Sequence, residues 1–404
     1  MKTFSTQSLG APIGLAFFGF VLIGLNSGAN GVLLPSLSAF YHVGDAVIGL
    51  LFLVSSLGYF LSALGSGLLT ERLGLRWLLG LGTGILLLGM LGFAFQLPFV
   101  LLLVARLCLG FGVGIMETGF NIYVSALPRH TVLLNYLHAF YGVGALVGPL
   151  LASWILALLW GWNIVYVLLA ALSLPLLIGI ILLLNTPGAS ESKDEPSARG
   201  NVLGATLKLP VVWMAAIFLL VYVGVETSVG NWSYSFLLAD RSEGTLAAGW
   251  IVSGYWLGLT LGRFLIQRQA ERMGVGTTAL MYACILGIVL GVLLIWLVPF
   301  GVAAAIGFCF IGLSVAPIYP LTVALVPRLV PARLGPSVIG VLVSVSIIGL
   351  AVFPWAAGIL AQALGIWTLL PYVLLLATML LAFWSYLARQ TGVSEAAREE
   401  QSVS

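Results

Sequence analysis

The 404-residue sequence is 61% hydrophobic and only 7% charged, with a mean hydropathy of +1.15, whereas an ordinary soluble domain is about a quarter charged. So few charges cannot cover a water-exposed surface, which excludes a soluble enzyme, and a net charge of +3 is too weak to point to nucleic acid. The solvent such a chain requires is a lipid bilayer.

In chain order, apolar stretches long enough to cross roughly 30 Å of hydrocarbon recur at 12–34, 46–69, 77–96, 99–126, 133–158, 163–184, 211–238, 246–268, 276–297, 301–325, 336–361 and 367–388. The expected fold is all-α, with twelve transmembrane helices in two six-helix bundles: an N-terminal bundle over 1–184, a cytoplasmic linker over 185–210, a C-terminal bundle over 211–390 and a cytoplasmic tail over 391–404. Only Lys2 precedes the first apolar run, and no short apolar segment with a small-residue cleavage site follows it, so the first helix is read as retained. On this threading Lys2, Arg72, Arg76, Arg129, Lys193, Arg199, Lys208, Arg268, Arg272, Arg328, Arg333, Arg389 and Arg398 share the side of the termini, and Arg241 faces the other. The positive-inside bias then predicts a multi-pass protein of the cell membrane with both termini in the cytoplasm.

The stretch 185–210 contains Ser190-Glu191-Ser192-Lys193-Asp194-Glu195-Pro196-Ser197 and reads as a flexible linker. The two sides of it resemble each other at an offset of about 200 residues: Glu71-Arg72-Leu73-Gly74 returns as Glu271-Arg272-Met273-Gly274, Leu127-Pro128-Arg129 as Val326-Pro327-Arg328, and Gly148-Pro149 as Phe353-Pro354. Such duplication implies paired repeats that rock about a site near the bilayer midplane.

Two glutamates lie within predicted spans, Glu117 in the fourth and Glu226 in the seventh. A charge at that depth costs roughly 2.5–3.5 kcal/mol on insertion scales, so it faces the bundle interior or a water-filled cavity. A carboxyl group that is ionised in a hydrated cavity can take up a proton when the cavity closes, which makes both candidates for proton coupling. The competing reading is a permanent structural clamp. Asn121 follows Glu117 by four residues on one helical face, and Gly110 and Gly114 precede it there. In the seventh helix Tyr222, Glu226 and Gly230 repeat at intervals of four, and Glu226 corresponds to Asn26 of the first helix, which pairs in the same way with Asn30.

Asn135, His138 and Tyr141 share a face of the fifth helix and suit hydroxyl recognition, although a neutral histidine bonded within the bundle is the alternative for His138. Aromatic residues are spread over both halves: Tyr59, Tyr141, Tyr222, Trp232, Tyr255, Trp256 and Tyr319. Of these Tyr255, Tyr319 and Trp232 are the first candidates for stacking on a substrate ring. Arg106 shares a face with Glu117 but lies about 16 Å from it along the axis. Its role, in binding or in a gating ion pair, stays open, as does that of Arg263, which could neutralise Glu226. Glu71, Arg72 and Arg76, with Glu271 and Arg272 in the second repeat, are candidate gating charges at the cytoplasmic ends. Cys108, Cys284 and Cys309 sit in apolar runs as packing residues. No nucleotide-binding loop or metal-ligand cluster is present, and His42, His130 and His138 are scattered. No cofactor or metal is expected, so energy comes from an ion gradient or from the substrate's own.

Gly67-Leu68-Leu69-Thr70-Glu71-Arg72-Leu73-Gly74-Leu75-Arg76 resembles the signature that major facilitator transporters carry between helices two and three, with Glu71 where Asp is usual. Arg106-Leu107-Cys108-Leu109-Gly110-Phe111-Gly112-Val113-Gly114 resembles the fourth-helix motif of that superfamily. A finer resemblance, to the fucose permease and sodium-glucose-transporter-like branch, rests on 116–124, 134–144 and 224–232. It implies that Glu117 works with a proton and a sugar. The sequence departs from that branch at Asn30-Gly31-Val32-Leu33-Leu34-Pro35, where the fucose permease carries Asp before Val-Leu-Ile-Pro, so the first-helix carboxylate of that relative is absent here. The expectation is a monomeric secondary symporter of a sugar or polyol coupled to protons or sodium. The alternative is a proton-coupled exporter of amphipathic drugs.

Overall fold

The computed structural model describes residues 10–184 and 202–403, with the side chains of 267, 271 and 391–403 outside the described set. The described residues form helices and no strand, as the absence of water in a bilayer core demands, because only a helix satisfies its backbone within one segment. Among the described residues eleven helices are long and apolar enough to cross a membrane: α1 (Gly10–Tyr41), α2 (Asp45–Leu73), α3 (Leu75–Ala94), α4 (Phe99–Ser125), α5 (His130–Ala157), α6 (Asn163–Leu183), α7 (Pro210–Ala239), α9 (Thr277–Leu297), α10 (Gly301–Leu329), α11 (Ala332–Leu364) and α12 (Ile366–Gln390). The eighth in order, α8 (Thr245–Arg272), completes the set of twelve and carries Ser253, Tyr255, Thr260 and Arg263 along its length.

Each helix falls within a few residues of the apolar run that predicted it, and the ends follow local chemistry. Gly74 closes α2 with φ of 74°, and Gly274, 200 positions later, follows α8 with φ of 67°. This left-handed backbone is one that glycine adopts without steric cost. The helix α10 is interrupted at Ala316 and Pro317, between Val315 and Ile318, where proline cannot continue the hydrogen-bond ladder. In the stretch expected as a flexible linker, Val202–Leu207 forms a short helix that packs against α11, its first turn Ala332–Leu334 included. Residues 185–201 lie outside the described residues.

The duplication is visible as packing. In the first half a Cβ on Gly58 of α2 would strike the Leu107 carbonyl of α4, and one on Gly110 would strike the Ser55 carbonyl of α2. In the second half Gly258 of α8 meets the Cys309 carbonyl of α10 in the same way, and Gly312 meets that of Tyr255. The same backbone-to-backbone approach is thus built twice, with glycines and their partners 200–202 positions apart. Small residues are what permit it, since lipid supplies no hydrophobic drive for helices to associate. Large side chains fill the bundle interiors, among them Phe20, Phe93, Phe120 and Tyr166 in one half and Phe218, Phe236, Phe308 and Trp384 in the other. Leu64, Leu88, Leu182, Val302 and Leu375 face outward.

Gly58→Leu should force α2 and α4 apart and destabilise the fold by about 1–3 kcal/mol. Thermal unfolding of the purified chain should register this as a lower midpoint, while Leu64→Ala on the lipid-facing side should leave the midpoint close to that of the parent.

Candidate functional site

The two halves touch toward the end remote from the termini. There the start of α2 docks on α11: the Ala46 N–H donates to Gln362 Oε1 at 3.0 Å, and Trp355 Nε1 donates to the Ala46 carbonyl at 3.2 Å. One layer deeper the Phe52 ring stands edge-on to Trp232 with centroids 6.3 Å apart, and Trp232 Nε1 donates to the Pro354 carbonyl at 2.8 Å. Gly31 of α1 lies against the Asn231 backbone of α7, and Ser253 of α8 donates to the Leu146 carbonyl of α5 at 2.8 Å. Toward the termini the facing side chains Asn135, His138 and Arg263 are exposed. The structure is therefore sealed at one end and parted at the other.

Polar side chains of both halves converge below the seal. Tyr59 of α2 donates its hydroxyl to Glu117 Oε2 at 3.1 Å. Among the described residues no Lys, Arg or His pairs with Glu117. Asn121 turns back to donate to the Glu117 backbone carbonyl at 2.9 Å, leaving the carboxylate to Tyr59. Opposite, Arg263 Nη2 of α8 stands 3.6 Å from Glu226 Oε1 of α7, and Tyr255 donates to the Glu226 backbone carbonyl at 2.8 Å. Arg263 is deep in the molecule yet keeps 34% of its side-chain surface open, as befits a residue bordering a gap.

Tyr141 of α5 bridges the two sets, interacting electrostatically with Glu117, Glu226 and Arg263 and with the Ser27 hydroxyl. Tyr319 of α10 also feels both carboxylates, and its ring lies 6.0 Å from that of Tyr222. His138 stands edge-on to Phe20 at 5.5 Å and within the field of Arg263. Among the described residues, the buried polar atoms without a hydrogen-bond partner include Asn26 Oδ1 and Trp256 Nε1, while the Tyr222 hydroxyl lies against Glu226 and Arg263.

Of the residues singled out from the sequence, Glu117, Glu226, Arg263, Tyr141, His138, Tyr222, Tyr255 and Tyr319 thus belong to one electrostatically connected cluster. Others lie elsewhere. Trp232 is fully buried in the seal, so its ring faces protein and no cavity. Asn30 accepts from Arg106 Nη1 at 3.0 Å, inside the N-terminal half. Asn135 is exposed at the open end. Glu71, Arg72 and Arg272 are exposed at the terminal ends of α2 and α8, and Arg76 lies over the Trp77 ring at 5.8 Å. No ion pair joins these charges among the described residues, and the Glu271 side chain lies outside them. Tyr59, named among the aromatic residues but not among the first candidates, is the one that meets Glu117. Ser55, Gly58 and Ser62 form the small-residue face of α2 against α4, and Tyr59 borders that face, which is the one signal that could have selected it.

Two six-helix halves, sealed at one end, parted at the other and lined by charged and aromatic groups between, define a secondary transporter and no enzyme. The chain belongs to the Major Facilitator Superfamily, whose family model matches residues 16–245. It is 27% identical to Bypass of stop codon protein 6 of Saccharomyces cerevisiae, over 91% of this chain and 79% of that protein. Among solved structures, the nucleoside transporter NupG superposes with a TM-score of 0.77 at 15% identity, covering 95% of this chain and 99% of that one. A D-xylose-proton symporter gives 0.76 at 14% identity, covering 93% and 97%. At these identities the two structures speak for the fold alone.

Two outcomes follow from this geometry. Gln362→Ala removes one cross-half hydrogen bond, on the order of 1 kcal/mol, and should speed the labelling of a cysteine placed at Asn231 by an impermeant thiol reagent about fivefold. Arg263→Gln leaves Glu226 uncompensated, so it should reduce transport more than the double variant Arg263→Gln/Glu226→Gln does. A double-variant loss equal to the sum of the two single-variant losses, on a logarithmic scale, would show the two side chains to act independently.

Proposed function

We propose that the protein moves a small hydroxylated solute, a sugar or polyol, by alternating access coupled to the movement of a proton, with Glu117 as the proton carrier. The observation that carries this reading is the contrast between the two buried carboxylates. Glu226 has Arg263 beside it, whereas Glu117 has a neutral tyrosine hydroxyl and no cation among the described residues. An uncompensated carboxylate costs most when water leaves, and a proton is the smallest group that removes that cost as the cavity closes. The solute would lie between the halves against Tyr141, Tyr222, Tyr255 and Tyr319, with Asn26, Asn121 and His138 as hydrogen-bonding groups. The unpartnered atoms of Asn26 and Trp256 favour a guest rich in hydroxyls. Glu226 and Arg263 would respond to the solute by loosening or tightening their contact.

The remaining assignments belong to the same proposal. The termini and the parted end face the cytoplasm of the cell membrane, following the positive-inside bias. Glu71, Arg72 and Arg76 with Glu271 and Arg272 would close that end in the alternate state, and the monomer is the working unit. The second reading is a proton-coupled exporter of amphipathic cations, which the unpaired Glu117 and the surrounding rings also suit.

Uptake into proteoliposomes, measured across a panel of sugars, polyols and cationic dyes with a proton gradient, a sodium gradient or neither, separates these readings. The expected outcome is accumulation of a polyol or sugar driven by the proton gradient. Glu117→Gln should abolish that accumulation, at least tenfold, while solute exchange without a gradient persists. Unchanged pH dependence in Glu117→Gln would remove the proton role, and accumulation of a dye but of no sugar would replace the substrate reading.

A further inference from the structure

A second charged site lies apart from the central cluster. Arg106 of α4 is 6% exposed and sits within the N-terminal half near the sealed end. Its guanidinium donates from Nη1 to Asn30 Oδ1 at 3.0 Å and from Nε to the Leu51 carbonyl at 3.4 Å, both neutral acceptors. Among the described residues no carboxylate pairs with it. The guanidinium borders a small cavity, with room for a single small guest, lined by Asn30, Leu34, Leu37, Leu51, Phe52 and Tyr166.

A buried cation held only by neutral dipoles keeps much of its desolvation cost, because two dipoles replace a hydration shell but no opposite charge is near. The natural place for a negative charge here is position 30, four residues beyond Asn26 on the same face of α1, and that position holds an amide. The amide directs its oxygen to one side of the guanidinium and leaves the negative charge to be supplied from elsewhere. We propose that a single small monovalent anion of the chloride class occupies this cavity and neutralises Arg106. The apolar walls, Leu34, Leu51 and Phe52, exclude a polyatomic or strongly hydrated anion. They leave the remaining guanidinium N–H groups as the donors that recognise the ion.

The cavity is joined to the seal, because Phe52 forms one of its walls and packs edge-on against Trp232 of the other half. Occupancy therefore stabilises the arrangement in which this end is closed. When the seal opens, water reaches the guanidinium and the ion is no longer required.

The test uses the purified full-length chain in detergent at constant pH and ionic strength, exchanging sodium gluconate for sodium chloride and reading the unfolding temperature. The expected result is a saturable rise of about 2 °C, given also by bromide and by potassium chloride, whereas sulfate, which acts by exclusion from the protein surface, gives no saturable component. Asn30→Asp, nearly the same shape, supplies the missing charge within the protein and should remove the halide response. Arg106→Gln should remove it as well, and if that variant fails to fold, the wild-type series and Asn30→Asp still decide. A flat wild-type response, an equal saturable response to sulfate, or an undiminished halide response in Asn30→Asp would each overturn the proposal.

Discussion

Lipid offers a side chain no hydrogen bond, and that constraint sorts the polar groups of this molecule into two kinds. Hydroxyls can satisfy themselves on their own helix. Thr83 donates to the Leu79 carbonyl at 2.8 Å, Thr227 to Val223 at 2.7 Å and Thr260 to Trp256 at 2.8 Å, so these residues can sit at any depth without a tertiary partner. Carboxylates and guanidinium groups have no such escape. Glu117, Glu226, Arg106 and Arg263 must find partners on other helices or face water, and each of them sits between helices that meet through small residues or across the gap.

The glycine contacts explain how those positions are held. A close approach of backbones at Gly58 and Gly110 clamps α2 to α4 and thereby sets Tyr59 opposite Glu117. The equivalent approach at Gly258 and Gly312 clamps α8 to α10, bringing Tyr255 over the Glu226 carbonyl and Tyr319 toward Tyr222. Each half is thus rigid where its polar groups lie, so relative motion is left to the surfaces between halves, where hydrogen bonds are few and lie at one end. A rocking transporter requires that division of stiffness.

The helices and the duplication were legible because both are local or periodic properties. Apolar length marks a span, and Gly74 and Gly274 announce their own backbone geometry. Glu117 was legible by its cost alone. Trp232 was misplaced because a tryptophan in an apolar helix carries no mark of whether its ring meets a solute or a helix of the other half; that depends on Phe52 and Pro354, separated from it by 180 and 122 positions. Tyr59 was named among the aromatic residues but not singled out for the same reason, since its partner lies 58 residues away on another helix. The ion pair of Arg263 with Glu226 was among the stated alternatives, and it needed the helix crossing to select it.

The two halves, similar in packing, differ in charge, and the difference bears on mechanism. Glu226 and Arg263 together are nearly neutral at long range, so closing water out of their surroundings changes their energy little while the pair stays intact. Glu117 has no such compensation, and Arg106, the cation of its own helix, is too far along the axis to supply it. Under the proposed function, a proton or a charged guest at Glu117 therefore alters the cost of occlusion, whereas the opposite half alters it only when a solute separates Arg263 from Glu226. Duplication supplied two equivalent frames, and placing a compensated charge in one and an uncompensated charge in the other is what would let a single central cavity distinguish its ion from its solute.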